Sequence, residues 1–260
     1  ILYNHLYHSR ISSAHMKEVF TDKNYWKIIQ HKNYNPRLIE FISDTNNIEN
    51  VKKGEYMGFV LAQLKNPQEV WMHAYEQQFT MAEKLLLHAV FSHGTMVDVT
   101  YTKLIFDAFL QYQIKHHNYH PVTNPFKNAC KSLLDGILIK EVFTYLGRDT
   151  LSFINPSIND FLTNYFVNNV EELQHLFKSS IFIEQFERYG QYFFNYSSPL
   201  LGKKEKAAFV RLLIETLPNL RTFIEFQDQI KSAQYVNLRA AAFLDGLYFE
   251  SKRKRHGRIS

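Results

Sequence analysis

Apolar positions in this chain recur at helical spacing almost throughout, so the exceptions are informative. Leu2, Leu6 and Tyr7 share one face, as do Tyr25, Ile28 and Ile29. Leu38, Ile39, Phe41 and Ile42 cover one side of a helix that begins at Asn35-Pro36. Asn35 suits the N-cap, and Pro36 suits the first helical position, where its missing N–H has no intrahelical partner to lose. Asn47, Asn50, Lys52, Lys53 and Gly54 make a polar break. Asn66-Pro67 repeats the Asn-Pro device and predicts a second start of the same kind, running through Val70 and Trp71. The flanking residues do not match, so the two starts are not an internal repeat.

The rhythm changes after residue 75. The apolar run 85–91 ends a helix at Ser92-His93-Gly94, and 101–113 predicts a second helix with Leu104, Ile105, Ala108 and Phe109 inward. A polar loop spans 116–124, and 126–134 predicts a third helix. The β-branched and aromatic runs 137–145 and 151–154 flank Gly147-Arg148-Asp149, which reads as a hairpin with its turn there. Three helices followed by a hairpin is the order of a winged helix. Beyond Asn155-Pro156 the stripes are helical again, with a break at Ser198-Pro199 and successive helices at 209–217, 220–230 and 235–249. These resemble the opening of a helical array without a clean period. The predicted fold class is mainly α: a bundle of short helices over 1–75, a winged-helix domain with a small β-hairpin over 76–166, and a helical array from 167 to 260.

Composition agrees with this reading. Of 260 residues, 45% are hydrophobic and 15% aromatic, while Gly (9) and Pro (7) are scarce, as expected of a folded helical chain. A single cysteine, Cys130, rules out an internal disulfide framework and a CxxC metal site, and fits a reducing, cytoplasmic setting. No apolar run reaches the roughly 18 residues a membrane span needs. The start lacks an initiator Met and a signal-peptide shape and falls within an amphipathic pattern, so an upstream part is expected. The net charge of +5 is concentrated near the end, in Lys252, Arg253, Lys254, Arg255 and Arg258. Such a run is either a solvated tail or a contact for nucleic acid or another anionic surface.

Most catalytic motifs are absent. Gly202-Lys203 lacks both the preceding Gly and the following Ser/Thr of a Walker A loop, so this chain cannot hydrolyse nucleotide by that mechanism. There is no G-x-G-x-x-G, H-E-x-x-H or G-x-S-x-G. His116, His117 and His120 cluster without nearby cysteine, which reads as a solvated loop more readily than a metal site. His88 and His93 read as helix-end or core residues, and Cys130 as a small buried hydrophobe. In the third helix Lys127, Asn128 and Lys131 offer phosphate contacts but thin base readout. Arg37 is different. A cation in the first turn of a helix opposes the helix dipole, and guanidinium geometry suits phosphate. The alternative reading is an ordinary surface arginine beside a Pro-started helix.

Four segments occur in a telling order: Ile1-Leu2-Tyr3-Asn4-His5-Leu6-Tyr7; His31-Lys32-Asn33-Tyr34-Asn35-Pro36-Arg37-Leu38-Ile39-Glu40; Asn66-Pro67 with Val70-Trp71; and Phe153-Ile154-Asn155-Pro156-Ser157-Ile158-Asn159-Asp160-Phe161-Leu162. Together, over about residues 1–166, they resemble the region that follows the nucleotide-binding core in STAND-class P-loop NTPases, specifically the novel STAND subfamily that includes bacterial antiviral proteins. The resemblance implies that residues 1–75 are the helical lid of the ATPase and that Asn35, Pro36 and Arg37 occupy a nucleotide-sensor position. It implies a winged-helix domain over 76–166. Asn155 would stand at the histidine, and Pro156 at the aspartate, of a Met-His-Asp segment that contacts ADP. Asparagine can donate a hydrogen bond there and proline cannot. The helices from 167 onward would begin the sensor region. ATP or ADP with Mg would belong to the parent protein, no cofactor to this chain. Implied partners are the chain's own upstream NTPase core, a protein target sensed by the C-terminal helices, and further copies in a homo-oligomer. The implied role is regulatory, in antiviral defence, without catalysis by this stretch itself. Two other readings stay open: a winged-helix nucleic-acid module contacting its ligand through Lys127, Lys131 and Lys252 to Arg255, and a helical protein-interaction scaffold.

Overall fold

Asn35 and Pro36 start their helix as the sequence dictates. Asn35 is extended, at φ −155° and ψ 162°, and its Oδ1 accepts the Leu38 N–H at 3.0 Å. A computed structural model describes residues 2–94, 98–143, 147–194, 200–224 and 229–256, with side chains except at 143, 229–230 and 248–256. The fold is mainly α with one two-stranded sheet.

The chain divides into two compact units. The first takes in residues 1–80, 135–137 and 153–161. Its helices are α1 (Leu2–His8), α2 (Ser13–Phe20), α3 (Asn24–Ile29), α4 (Pro36–Ser43), α5 (Thr45–Ile48), α6 (Tyr56–Lys65) and α7 (Gln68–His73). Leu6, Val19, Ile28, Leu38, Ile42 and Val60 build its core. Polar side chains tie its helix ends. The Glu18 carboxylate accepts the N–H groups of Gly54 (2.7 Å) and Met57 (3.1 Å), placing an anion at the start of α6, where the dipole favours it. Tyr56 donates its hydroxyl hydrogen to the Ile42 carbonyl at 2.6 Å, satisfying one of the last carbonyls of α4. Burial pushes the Tyr56 phenol pKa well up.

The second Asn-Pro start takes a different form. Asn66 ends α6 and Pro67 is the N-cap of α7, where no side chain caps the helix. The turn after α7, Ala74–Gln78, is a π-helical turn, closed by the Phe79 N–H on the Ala74 carbonyl at 3.1 Å.

The second unit takes in residues 81–134, 138–152 and 162–260. It contains α8 (Met81–His93), α9 (Val99–His117), α10 (Pro125–Leu133) and the strands β1 (Leu138–Phe143) and β2 (Arg148–Phe153), which pair with each other. Arg148 and Asp149 belong to β2, not to the turn as the sequence suggested. A single antiparallel bridge joins Asp98, between α8 and α9, to Thr150 of β2. The expected loop at 116 begins two residues later, because α9 runs through His117 and ends on Asn118 in the left-handed conformation, φ 51°. Then follow α11 (Ser157–Asn168), whose first residues belong to the first unit, α12 (Val170–Lys178), α13 (Ile183–Phe193), α14 (Lys203–Thr216) and α15 (Gln229–His256). Phe177, Phe186, Tyr189, Phe193 and Phe209 pack together as an aromatic core.

The helix expected at 220–230 does not form at 220–224. Pro218 sits in a tight turn, and Arg221 instead pairs alongside Phe182: its N–H donates to the Ile181 carbonyl at 2.8 Å and its carbonyl accepts the Ile183 N–H at 2.9 Å. Strand-like pairing with α13's leading segment overrides the local helical pattern there. The break expected at Ser198-Pro199 lies outside the described residues.

Candidate functional site

Arg37 lies one residue inside α4, on a corner whose backbone is held from both sides. Ahead of it, the Asn33 amide donates to the Leu64 carbonyl at 2.9 Å, near the end of α6. The Asn35 amide nitrogen donates to the Asn33 carbonyl at 2.8 Å, while its oxygen caps α4. Asn33 and Asn35 are both buried, so both amides act locally in the corner. Pro36 is exposed at the start of α4.

The Arg37 side chain reaches the π turn. Its Nη1 donates to Gln78 Oε1 at 2.5 Å and to Glu40 Oε2 at 3.1 Å, and its Cζ stands 5.7 Å from the centre of the Phe79 ring. Among the described residues, Nη2 and Nε make no hydrogen bond. The side chain is 28% exposed. The guanidinium thus keeps two nitrogens without a hydrogen bond and lies close to an aromatic ring. Guanidinium groups of this kind suit bidentate contact with an oxyanion. The resident contact is weak by comparison: a half-exposed i,i+3 ion pair contributes about 0–1 kcal/mol.

Asn155 stands at the start of α11, buried, with Oδ1 accepting the Ser157 N–H at 3.0 Å. Among the described residues no hydrogen bond joins it to Arg37. The two segments nevertheless meet the same element. Ser157 Oγ accepts the Trp71 indole N–H at 2.9 Å from α7, Tyr75 of the π turn packs on Phe161 at 5.6 Å, and Gln78 of the same turn holds Arg37. Sequence reasoning missed Gln78 and Phe79, because a one-residue π insertion leaves no periodic mark. Glu40, three residues after Arg37 on one helix face, was readable from spacing.

The remaining candidates are dispersed. Lys127 and Lys131 are exposed on α10, opposite buried Ala129 and Leu133, and the neighbouring Asn128 amide is engaged locally on the Thr123 carbonyl at 2.9 Å. The side chains of Lys252, Arg253, Lys254 and Arg255 lie outside the described residues, although their backbone belongs to α15. Cys130 is half-buried, and burial pushes its thiol up to about 11, away from thiolate chemistry. His117 packs ring to ring with His175 at 4.6 Å, and among the described residues no group of three His, Cys, Asp or Glu side chains is arranged to hold a metal ion. His88 and His93 are buried, and burial first of all lowers them to about 3 and about 4. For His93 the tautomer follows from its partners: Nδ1–H donates to the Gly94 carbonyl at 2.8 Å, leaving Nε2 to accept the Thr102 hydroxyl at 2.9 Å.

Among the described residues no helix is long and apolar enough to cross a membrane. No protein-family model, curated protein or solved structure matches this chain.

Proposed function

We propose that this chain is a regulatory part of a STAND-class P-loop ATPase, following the nucleotide-binding core, with Arg37 as the residue that distinguishes nucleotide states. The observation that carries the reading is the Arg37 corner: a guanidinium with two unengaged donor positions, fixed at its base by buried asparagines and restrained at its tip only by exchangeable contacts. Only an interaction that differs between ATP and ADP can shift a conformational equilibrium. A γ-phosphate that engages the unoccupied Nε and Nη2 donors of Arg37 supplies one, since hydrogen bonds to charged groups are worth about 1.5–3 kcal/mol.

The architecture supports the same reading. The order α8, α9, α10, β1, β2 suits a winged helix, and an isolated bridge ties Asp98 to Thr150 of the hairpin. Residues 1–75 then serve as the lid, 76–166 as the winged-helix lever, and the helices from 167 as the beginning of a target-sensing region. ATP or ADP with Mg binds the parent's core, this stretch does no chemistry, and target recognition leads to homo-oligomerisation in the cytoplasm, in antiviral defence. The hinge of the switch in this reading is α7 with its π turn, which touches both the Arg37 corner and the Asn155 segment.

The test is light scattering on the complete parent protein with ATP and with ADP, for wild type and Arg37→Ala. The reading predicts nucleotide-dependent assembly that the substitution abolishes. Assembly unaffected by Arg37→Ala contradicts the sensor role, and a parent polypeptide without a Walker A loop removes the family.

A further inference from the structure

A run of aromatic rings, exposed at its two ends, crosses α1, α2 and α3. Tyr7 stacks on Tyr3 at 5.7 Å, Tyr3 meets Phe20 edge-on at 5.5 Å, Phe20 lies 5.9 Å from Tyr25, and Tyr25 lies 5.7 Å from Trp26. Tyr3, Tyr7 and Trp26 are 54%, 60% and 48% exposed, so both ends of the run reach solvent, while Phe20 and Tyr25 between them are half-buried against the core. Two consecutive residues in the left-handed region, Asp22 (φ 50°) and Lys23 (φ 57°), turn the chain between α2 and α3 and bring Phe20 to Tyr25. Left-handed non-glycine residues cost about 1 kcal/mol each, so the turn is held against a local preference.

The charge around this run has one dominant sign. Residues 1–32 carry Arg10, Lys17, Lys23, Lys27 and Lys32 against Glu18 and Asp22, and all five cations are exposed. The Glu18 carboxylate is already engaged by the Gly54 and Met57 amides. Lys17 precedes Phe20 by one helical turn within α2, so cation and ring share a face there, while Lys23 and Lys27 flank Tyr25 and Trp26 along the chain. Protein–protein interfaces are depleted in lysine. Exposed rings at the ends of an aromatic run, with lysines beside them, are instead the composition of a platform for single-stranded nucleic acid, in which bases stack on rings and ammonium groups follow the phosphates.

We propose that the Tyr7–Tyr3–Phe20–Tyr25–Trp26 face binds single-stranded nucleic acid. It uses none of the residues of the Arg37 corner and does not depend on that reading. Binding is sequence-tolerant, because every base offers a π face.

The test uses the 260-residue chain and a twelve-nucleotide oligothymidylate at low salt, followed by tryptophan fluorescence. Trp71 is buried, so quenching by stacked bases reports Trp26. The proposal predicts saturable quenching, and affinity that falls linearly with log salt. It predicts at least a tenfold loss of affinity in Tyr3→Ala/Tyr7→Ala, whose side chains are exposed, with an unchanged circular dichroism spectrum. Lys17→Ala/Lys27→Ala is predicted to flatten the salt slope by about 0.7 per lysine lost while leaving the rings in place. Absence of quenching at low salt overturns the proposal. Undiminished binding by the tyrosine variant overturns it too, by moving the contact to other basic segments. Tighter binding of polyglutamate, or of vesicles of anionic phospholipid, than of the oligonucleotide reassigns the face to an acidic protein or a membrane surface.

Discussion

The Arg37 guanidinium donates to the Gln78 side-chain carbonyl at 2.5 Å, across 41 residues of chain. This bond brings the first turn of α4 to the π turn after α7, and with Glu40 it sets where the guanidinium waits. Replacing Glu40 by Gln removes the competing charge. The expected outcome is a stability change within about 1 kcal/mol, because the pair is half-exposed. ATP affinity in the parent protein is expected to rise. Weaker ATP binding in Glu40→Gln, measured by calorimetry, contradicts the idea that Glu40 competes with the ligand.

Asn35 performs two tasks, capping α4 and holding the Asn33 carbonyl. Asn35→Ala removes both and is expected to destabilise the first unit by about 1–2 kcal/mol, while Asn35→Asp keeps the cap and loses less. Urea midpoints followed by Trp71 fluorescence check the order Asn, Asp, Ala. An alanine variant as stable as wild type contradicts the assignment.

The corner shows how much of the molecule was legible. Asn35-Pro36 marks a helix start because cap chemistry is local, and Arg37 stood out because its charge opposes the dipole. Glu40 follows from helix spacing. Gln78 and Phe79 do not, because their position depends on the π turn, which sequence periodicity does not encode. Asn66-Pro67 looked like the same start, yet there the helix of Asn66 ends before that of Pro67's successors begins, so Pro67 caps where Pro36 enters. Residues 220–224 follow a helical pattern but are held out of a helix by Arg221's backbone pairing beside Phe182 and by Glu184, whose Oε1 takes the Thr222 hydroxyl at 2.5 Å. For Arg221 and Thr222 the deciding contacts lie far away in sequence, Glu184 standing 38 residues before Thr222.

Ser157 accepts the Trp71 indole N–H where both are buried. Ser157→Ala leaves that donor without its partner, and the expected loss is about 1–3 kcal/mol. Fluorescence-detected urea unfolding measures it. A change below about 0.5 kcal/mol shows that the indole finds another acceptor and that α7 is not held through this bond.

Gly190 in α13 faces the Phe243 ring of α15 so closely that an added Cβ would overlap it. Gly190→Ala trades better helix propensity for overpacking, and overpacking dominates, at about 1–3 kcal/mol. A stabilised Gly190→Ala protein in thermal unfolding contradicts this packing of α15.

His93 stays neutral in the folded unit down to about pH 4, first because it is buried, while an unfolded histidine titrates near 6.5. Its folded pKa is lowered, so the unfolded chain takes up a proton that the folded one refuses. Stability is therefore full above about pH 6.5 and falls as pH drops from there towards about 4. His88, lowered to about 3, adds to the fall in the same direction. Urea midpoints at pH 7, 6 and 5 are expected to decline, and less steeply for His93→Gln. Equal slopes in the two proteins contradict the assignment.

The most direct measurement is the ratio of ATP to ADP affinity in the complete parent protein, with and without Arg37→Ala, by equilibrium titration. The account predicts a ratio well away from one in the wild type that collapses towards one in the variant, with Trp71 fluorescence reporting an intact fold. An unchanged ratio contradicts it.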